Sequence, residues 1–304
     1  MSTVFLGTSE FAATILSALA AQERHRPLLV LTRPDRPSGR GRRLKAPAVA
    51  ERALELGIPL EQPASVNDAG VRAHIAGVGA ETLVICAFGA LIREPLLSEH
   101  EILNVHPSLL PRWRGAAPIE RAIMAGDELT GVSIMRLTAG LDEGPVCLAG
   151  REPIAPDDTY GSLAERLARL GGELLLRALE QRPPMIEQPQ LGVTYAEKIS
   201  AEDRLLDPAR PAAELERVVR ALSPHIGARL ALPGGAMLGV RRAALAPELG
   251  DAGRDAGGAP LEDEGRLVLH CSPGALELLE VQPPGGRPMD GSAYLRGHRA
   301  GGRS

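Results

Sequence analysis

Short, continuous apolar runs alternate with segments of helical period through the first part of the chain. Residues 4–6, 28–32, 82–87 and 102–105 are apolar without alternation and read as strands buried on both faces. Between the first two, Phe11, Ile15, Leu16 and Leu19 recur at helical spacing behind Thr8 and Ser9, either of which can cap a helix. Residues 48–56 read as a helix closed by Gly57, and Asn67-Asp68 opens another through Ile75. Strand–helix–strand order implies parallel pairing with right-handed crossovers. The expectation is an α/β domain on a doubly wound, mostly parallel sheet, with ligands beyond the carboxyl ends of its strands. Phe88-Gly89 and His106-Pro107 follow two of those ends, so their loops are expected to wall one pocket.

The pattern continues with a helix at 116–125, strands at 130–136 and 147–154, and a long amphipathic helix at 161–180. A Pro/Gln-rich run from Arg182 to Gly192 then reads as extended linker chain. Beyond Asp207-Pro208 come one helix, 213–222, and short strand-like runs at 228–232, 236–242, 267–271 and 276–281, separated by Gly/Pro turns. Such spacing predicts a small, closed or half-closed, OB-like β-barrel. The domains expected are 1–182 and 208–304, joined by a linker at 183–207.

Composition adjusts this picture in a few places. Hydrophobic residues at 44% and charged residues at 24% suit a soluble globular protein, and aromatics at 2% leave the core to Leu, Val, Ile and Ala. A net charge of −4 argues against coating nucleic acid by bulk charge but allows a local basic patch. Residues 33–47, RPDRPSGRGRRLKAP, hold six basic residues against one acid and show no apolar period. A mobile extended loop is expected there, either a solvated surface segment or an arm that follows a phosphate backbone. The first strand–helix turn lacks GxGxxG, which argues against a nicotinamide dinucleotide. Cys86, Cys147 and Cys271 lie far apart without CxxC or zinc-ligand spacing, so they read as small buried side chains in a reducing cytoplasm, and no metal is expected. The N-terminus has no basic region before its apolar residues, unlike a signal peptide. The apolar run 83–92 is half of the about 20 residues a membrane span needs.

Candidate chemistry concentrates in residues 102–118, ILNVHPSLLPRWRGAAP. Asn104 and His106 are two apart on a strand and therefore share a face, and Pro107 ends further pairing. The sole tryptophan, Trp113, lies between Arg112 and Arg114. Downstream, Gly140-Leu141-Asp142-Glu143-Gly144-Pro145 sets two acids between glycines, which is either plain turn chemistry or an exposed catalytic carboxylate. Ser108 has no GxSxG elbow, so covalent catalysis is not indicated. Asn, His and Asp together suit direct acyl transfer to an amine. Asn104 would donate to an oxyanion, His106 would stabilise it or shuttle a proton, and Asp142 would fix His106 or accept the proton.

The runs NVHPSLLP at 104–111 and GLDEG at 140–144 resemble the signature of the folate-dependent formyltransferase family. Residues 112–119, 7–12, 34–41, 195–199 and 288–297 are similar to the branch of that family acting on methionyl-initiator tRNA. The resemblance covers nearly the whole chain. It implies a formyltransferase-like Rossmann variant for the N-terminal domain and a C-terminal barrel that holds tRNA. It implies 10-formyltetrahydrofolate as co-substrate, no metal, initiator methionyl-tRNA as partner, and a cytoplasmic monomer. By the same resemblance Asn104, His106 and Asp142 are catalytic; Ser108, Leu109, Leu110, Pro111, Phe88 and Gly89 contact the folate; and Arg40, Arg42, Arg43 and Lys45 contact tRNA. Two departures stand out: Phe88 occupies a place where Tyr is expected, and residues 223–227, SPHIG, lack the aromatics usual at the start of the family's barrel. Formyl transfer to an amino sugar nucleotide, or formylfolate hydrolysis, would use the same three residues, but the basic stretch and the C-terminal barrel weigh against both. A catalytically silent RNA-binding module is opposed by the intact Asn/His/Asp set.

Overall fold

The computed structural model describes residues 1–38, 43–249 and 259–301. The chain divides into two compact units, one of residues 1–118, 129–153 and 164–196, the other of 119–128, 154–163 and 197–304.

In chain order the first elements are β1 (Thr3–Gly7), α1 (Glu10–Ala20), β2 (Pro27–Leu31), α2 (Ala48–Glu55), β3 (Leu60–Glu61), α3 (Ala69–Val78), β4 (Thr82–Cys86) and β5 (Ile102–His106). There follow α4 (Pro118–Ala125), β6 (Leu129–Arg136), β7 (Val146–Pro153) and α5 (Tyr160–Gln181). The first unit is built on a seven-stranded sheet of order β7-β6-β5-β4-β1-β2-β3. Strands β1 to β5 pair in parallel, as the apolar runs of all but the unpredicted β3 imply, and every residue of β1 and β4 is buried. Strands β6 and β7 extend the sheet antiparallel, so β5 has a parallel neighbour on one side and an antiparallel one on the other. Ser9 caps α1 by accepting from the Ala12 N–H, and Gly79 closes α3 in the left-handed conformation.

The long helix α5 lies close to the centre of this sheet because it carries two adjacent glycines there. A Cβ at Gly171 would stand 3.0 Å from the Val105 side chain, and one at Gly172 would stand 2.9 Å from Ala18. The missing side chains let α5 seat against β5 and α1 and hold the strand that bears Asn104 and His106.

The basic stretch departs from the loop expected of it. Arg36–Ser38 and Arg43–Lys45 pair antiparallel as a hairpin, with Arg36 opposite Lys45 and Ser38 opposite Arg43. Residues 39–42, which include Arg40 and Arg42, lie outside the described residues.

The second unit contains α6 (Ala212–Ala221), β8 (Ala228–Ala231), β9 (Met237–Leu245), β10 (Leu261–Asp263), β11 (Arg266–His270), β12 (Ala275–Gln282) and β13 (Met289–Asp290). Its antiparallel sheet runs β8-β9-β12-β11-β10, with β13 beside β12. Register shifts around Arg242 mark bulges in β9, which bend a strand. Among the described residues the path ends at β8 and β10, in keeping with the half-closed form of the expected barrel. Leu215, Leu222, Leu238, Val240, Leu276 and Val281 fill its core. Helix α4 also packs in this unit: the Glu120 carboxylate meets His225 Nε2 at 3.0 Å, and Tyr160 stacks on that imidazole at 3.7 Å. Among the described residues no helix is long and apolar enough to cross a membrane.

Arg121 of α4 grips Asp203 in a two-pronged ion pair, both N–H···O distances being 2.8 Å. These bonds, with the Ser200 N–H, hold the Asp203 carboxyl at about 2, below the ordinary 3.8. Because the folded carboxyl is the stronger acid, its stabilisation is present above pH 3.8 and is lost as pH falls towards about 2. With a quarter of the Asp203 side chain exposed, solvent screening reduces the effect to about 1 kcal/mol. Asp203→Asn is therefore expected to lower stability by about that much at pH 7, with the difference vanishing near pH 2. Denaturant titrations of both proteins across that range check this.

Candidate active site

The carboxyl end of β5 delivers the two residues singled out by the sequence. In register, Asn104 lies beside Ile85 of β4 and Met135 of β6, and His106 lies beside Ser133. Their shared face turns towards the loop after β6, where Asp142 waits. Asn104 Nδ2 donates to Asp142 Oδ1 at 3.4 Å, and His106 Nδ1 lies 3.6 Å from Asp142 Oδ2. The structure thus brings together the Asn, His and Asp that the sequence leaves 38 positions apart at their widest.

The closest partner of this carboxylate is main chain. The Gly115 N–H donates to Asp142 Oδ2 at 2.8 Å, while the Asn and His contacts are both long for hydrogen bonds. The imidazole is oriented from its other side: Nε2 lies 2.9 Å from the Trp113 carbonyl, which can only accept, so Nε2 carries a proton and Nδ1 faces Asp142. His106 itself is 4% exposed.

Two non-glycine residues of this site have left-handed backbones, Trp113 at φ 62° and Asp142 at 47°, as does Ala87 at 43° after β4. Each such position costs free energy that neighbouring contacts must offset. The neighbours are visible. The Trp113 N–H bonds Thr194 Oγ1 at 2.9 Å, and Arg114–Gly115 pairs in parallel with Tyr195–Ala196. The segment after α5, expected as part of a linker, in this way forms one wall of the site.

A glutamine in that segment was not anticipated. Gln188 is 8% exposed, and its Nε2 donates to the carbonyls of Asp142 and Gly144 at 2.8 Å each. Its Oε1 accepts from Arg114 Nε at 3.0 Å and Nη2 at 2.8 Å, and Arg114 is itself 5% exposed. Nothing in a Pro/Gln-rich run distinguishes such a residue from its neighbours; only a buried arginine next to Trp113 hints at a distant polar partner.

The 108–111 loop shapes itself. Ser108 is fully buried, its hydroxyl donating to the Arg112 carbonyl at 2.6 Å, while Ser133 Oγ donates to the Ser108 carbonyl and accepts from the Leu110 N–H. Leu110 borders a depression of about 260 Å³ with Val146, Leu148, Ile186 and Pro189. Leu109 and Pro111 are half-buried.

Phe88 and Gly89 border a cavity beside the β1–α1 junction. The cause is local: the Phe88 ring is buried in the core with Leu6, Ile85 and Ile92, and its carbonyl accepts from Thr8 Oγ1 at 2.7 Å. This turns residues 87–89 towards the β1–α1 junction. The resulting cavity, about 480 Å³, is lined by Thr8, Ser9, Phe88 and Gly89, by three cations, Arg33, Arg36 and Lys45, and by one acid, Glu10. Arg33 and Arg36 were not among the anticipated residues. Like charges placed opposite on a hairpin are unfavourable, so pairing Arg36 with Lys45 concentrates positive charge at some cost. Arg43 and Lys45 are exposed, as is Leu44 between them.

The cysteines offer no nucleophile. Burial pushes the Cys86 thiol far above its ordinary range, raises that of Cys147, and moves Cys271 up to about 11. Among the described residues there is no group of three His, Cys, Asp or Glu placed to hold a metal ion.

A family model described as formyl transferase matches residues 1–179, and one described as formyl transferase, C-terminal domain, matches residues 198–299. The methionyl-tRNA formyltransferase of Dechloromonas aromatica is 44% identical over 302 residues, covering 98% of this chain and 96% of that protein. That of Neisseria meningitidis is 42% identical over 305 residues, covering 98% and 97%. Among solved structures, methionyl-tRNA formyltransferase from Clostridium thermocellum aligns with TM-score 0.61 at 13% identity, over 81% of this chain and 94% of that one. HypX from Aquifex aeolicus in complex with tetrahydrofolic acid aligns at 0.64 and 18%, over 99% of this chain and 47% of that one, so this chain spans about half the length of HypX. At such identities the structural likenesses speak for the fold alone.

Gly115 is the position where this geometry is most exposed to change. Its φ is +125°, and a Cβ there would stand 2.7 Å from the Ala196 carbonyl oxygen. Gly115→Ala is expected to push the Tyr195–Ala196 strand away, lower stability by about 1–3 kcal/mol and withdraw the N–H from Asp142. Thermal unfolding together with turnover measurements checks both effects.

Proposed function

The chain belongs to the formyl transferase family, and we propose that it transfers the formyl group of 10-formyltetrahydrofolate to the α-amine of methionine esterified to initiator tRNA, for translation initiation. The observation that carries this reading is the convergence of Asn104, His106 and Asp142 at one strand end, in a chain similar over nearly its whole length to methionyl-tRNA formyltransferases. Folate enters as a co-substrate.

The reaction forms a bond between the amine nitrogen and the formyl carbon and breaks the bond from that carbon to the folate nitrogen. One proton leaves the amine and one reaches the departing nitrogen. Between these events the formyl oxygen carries negative charge on a tetrahedral carbon. Asn104 suits that oxygen, because its amide is committed only to a long 3.4 Å bond that a developing oxyanion can replace. Asp142 and Nδ1 of His106, 3.6 Å apart, form the proton path, and their spacing leaves room to tighten around bound substrates. The amine needs little help to be neutral, since a free α-amine titrates at about 7.7–8.0 and esterification lowers it.

For the donor, residues 108–111 supply an apolar edge at Leu110, and Phe88 and Gly89 contribute main chain, the Phe88 ring being buried. For tRNA, the contacts are Arg43 and Lys45, exposed on the hairpin, and Arg40 and Arg42, which lie outside the described residues. Residues 1–182 then perform the transfer and 208–304 hold more of the tRNA, with 183–207 between them. The chain acts as a monomer in the cytoplasm, where charged tRNA is found.

Incubating the protein with 10-formyltetrahydrofolate and charged initiator tRNA, followed by acid gel, tests the reading. Formylation of an amino sugar nucleotide with none of the tRNA would overturn it. Asn104→Ala is expected to lower kcat by about 10²–10³, as removal of one oxyanion donor does. Joint replacement of Arg40, Arg42, Arg43 and Lys45 by alanine is expected to weaken tRNA binding. The slope of log affinity against log salt should become shallower by about 1 for each phosphate that these cations neutralise in the wild type. An unchanged slope would remove the basic arm from the binding site.

A further inference from the structure

Gln188 makes four hydrogen bonds within the first unit, two to the loop that carries Asp142 and two to Arg114. Its two amide hydrogens go to the carbonyls of Asp142 and Gly144, each at 2.8 Å, and its oxygen receives two hydrogens from Arg114. The orientation of the amide is forced, since carbonyls only accept and a guanidinium only donates. Every hydrogen-bonding position of the amide group is thereby filled.

Asp142 has two reasons to need such a clamp. Its backbone is left-handed at φ 47°, and its carboxylate must point at Asn104 and His106 rather than at solvent. The loop cannot be stiffened by a bulkier residue at 144, because a Cβ there would stand 2.0 Å from the Arg136 carbonyl oxygen. A side chain arriving from outside the loop meets the requirement. Arg114, which holds Gln188 in turn, directly precedes the glycine whose N–H binds the same carboxylate.

We propose that Gln188 is a positioning residue for formyl transfer, fixing the main chain of Asp142 and Gly144 so that the Asp142 carboxylate stays aligned, with Arg114 setting the amide. This rests on the catalytic reading of Asp142. Gln188 touches no reacting atom, so its influence appears in turnover rather than in substrate binding.

Gln188→Glu is the informative variant. The new carboxylate still pairs with Arg114, which preserves the buried arginine's partner, but both hydrogens aimed at the loop are gone. Misplacement of a catalytic group by about 1 Å can cost about 100-fold in rate. The expected result is a fall in kcat of about 10- to 100-fold, with KM for 10-formyltetrahydrofolate and for methionyl-tRNA within about threefold of wild type. The pH–rate profile should also move, because the alignment of Asp142 with His106 sets it. A melting temperature close to wild type would exclude general unfolding as the cause.

Should Gln188→Glu not fold, Arg114→Lys takes its place. It leaves the loop-facing hydrogens but loosens the amide, and an intermediate loss of kcat at constant KM is expected. Normal kcat and pH profile in a folded variant would overturn the proposal, as would a loss expressed only in KM. Asp142→Asn is measured alongside. If that variant keeps full activity, the catalytic reading of Asp142 fails. If it is inactive while the Gln188 variant is normal, only the positioning role fails.

Discussion

The hydrogen bond from the Gly115 N–H to the Asp142 carboxylate is the interaction on which the rest of the site depends. Among the described residues it is the shortest bond to that carboxylate, and it joins segments 27 residues apart. A mostly buried carboxylate needs such a donor, because removing charge from water without a partner is costly. Gly115 can serve only in an unusual backbone conformation and only against the close carbonyl of Ala196. The carboxylate therefore inherits its position from a strand pairing, and Asn104 and His106 inherit theirs from β5, clamped beneath α5 at Gly171. Two rigid pieces meet at one hydrogen bond.

Left-handed residues at Trp113 and Asp142 flank this meeting point, and a third, Ala87, follows the neighbouring strand β4. Strain of this kind persists where surrounding contacts over-determine the backbone. The surrounding contacts are plentiful here: Thr8 on the Phe88 carbonyl, Thr194 on the Trp113 N–H, Gln188 on the Asp142 carbonyl. Most are polar side chains bonding main chain, which fixes direction as well as distance. Such an arrangement holds donors and acceptors in place before substrates arrive, the condition for electrostatic stabilisation without reorganisation.

Much of this was legible in the residues. The apolar runs found four of the five parallel strands within a residue or two, because strands buried on both faces tolerate little else, and missed the two-residue β3. Period-2 alternation placed Asn104 and His106 on one face, and the glycine-flanked turn marked Asp142. What escaped depends on partners distant in sequence. Strand direction is not encoded in a strand's own residues, so the antiparallel placement of β6 could not be read from 130–136. Composition alone suggested a loop at 33–47, whereas antiparallel pairing of its ends makes a hairpin. The burial of the Phe88 ring also depends on residues far along the chain, Leu6 among them. Gln188 had no signal, since its value comes entirely from what lies opposite it.

The parallel strand made by Tyr195–Ala196 has a consequence for how the molecule is made. The seven-stranded sheet and all three polar groups are complete once Pro153 has been synthesised. The strand that fixes Gly115, and the glutamine that grips the loop, arrive only after the 22 residues of α5. A nascent chain emerging from the ribosome thus carries Asn104, His106 and Asp142 well before the main chain that aligns them. A fragment cut at the end of α5 would keep the sheet and lose the alignment. The compact unit that contains the sheet likewise runs on past α5, to Ala196.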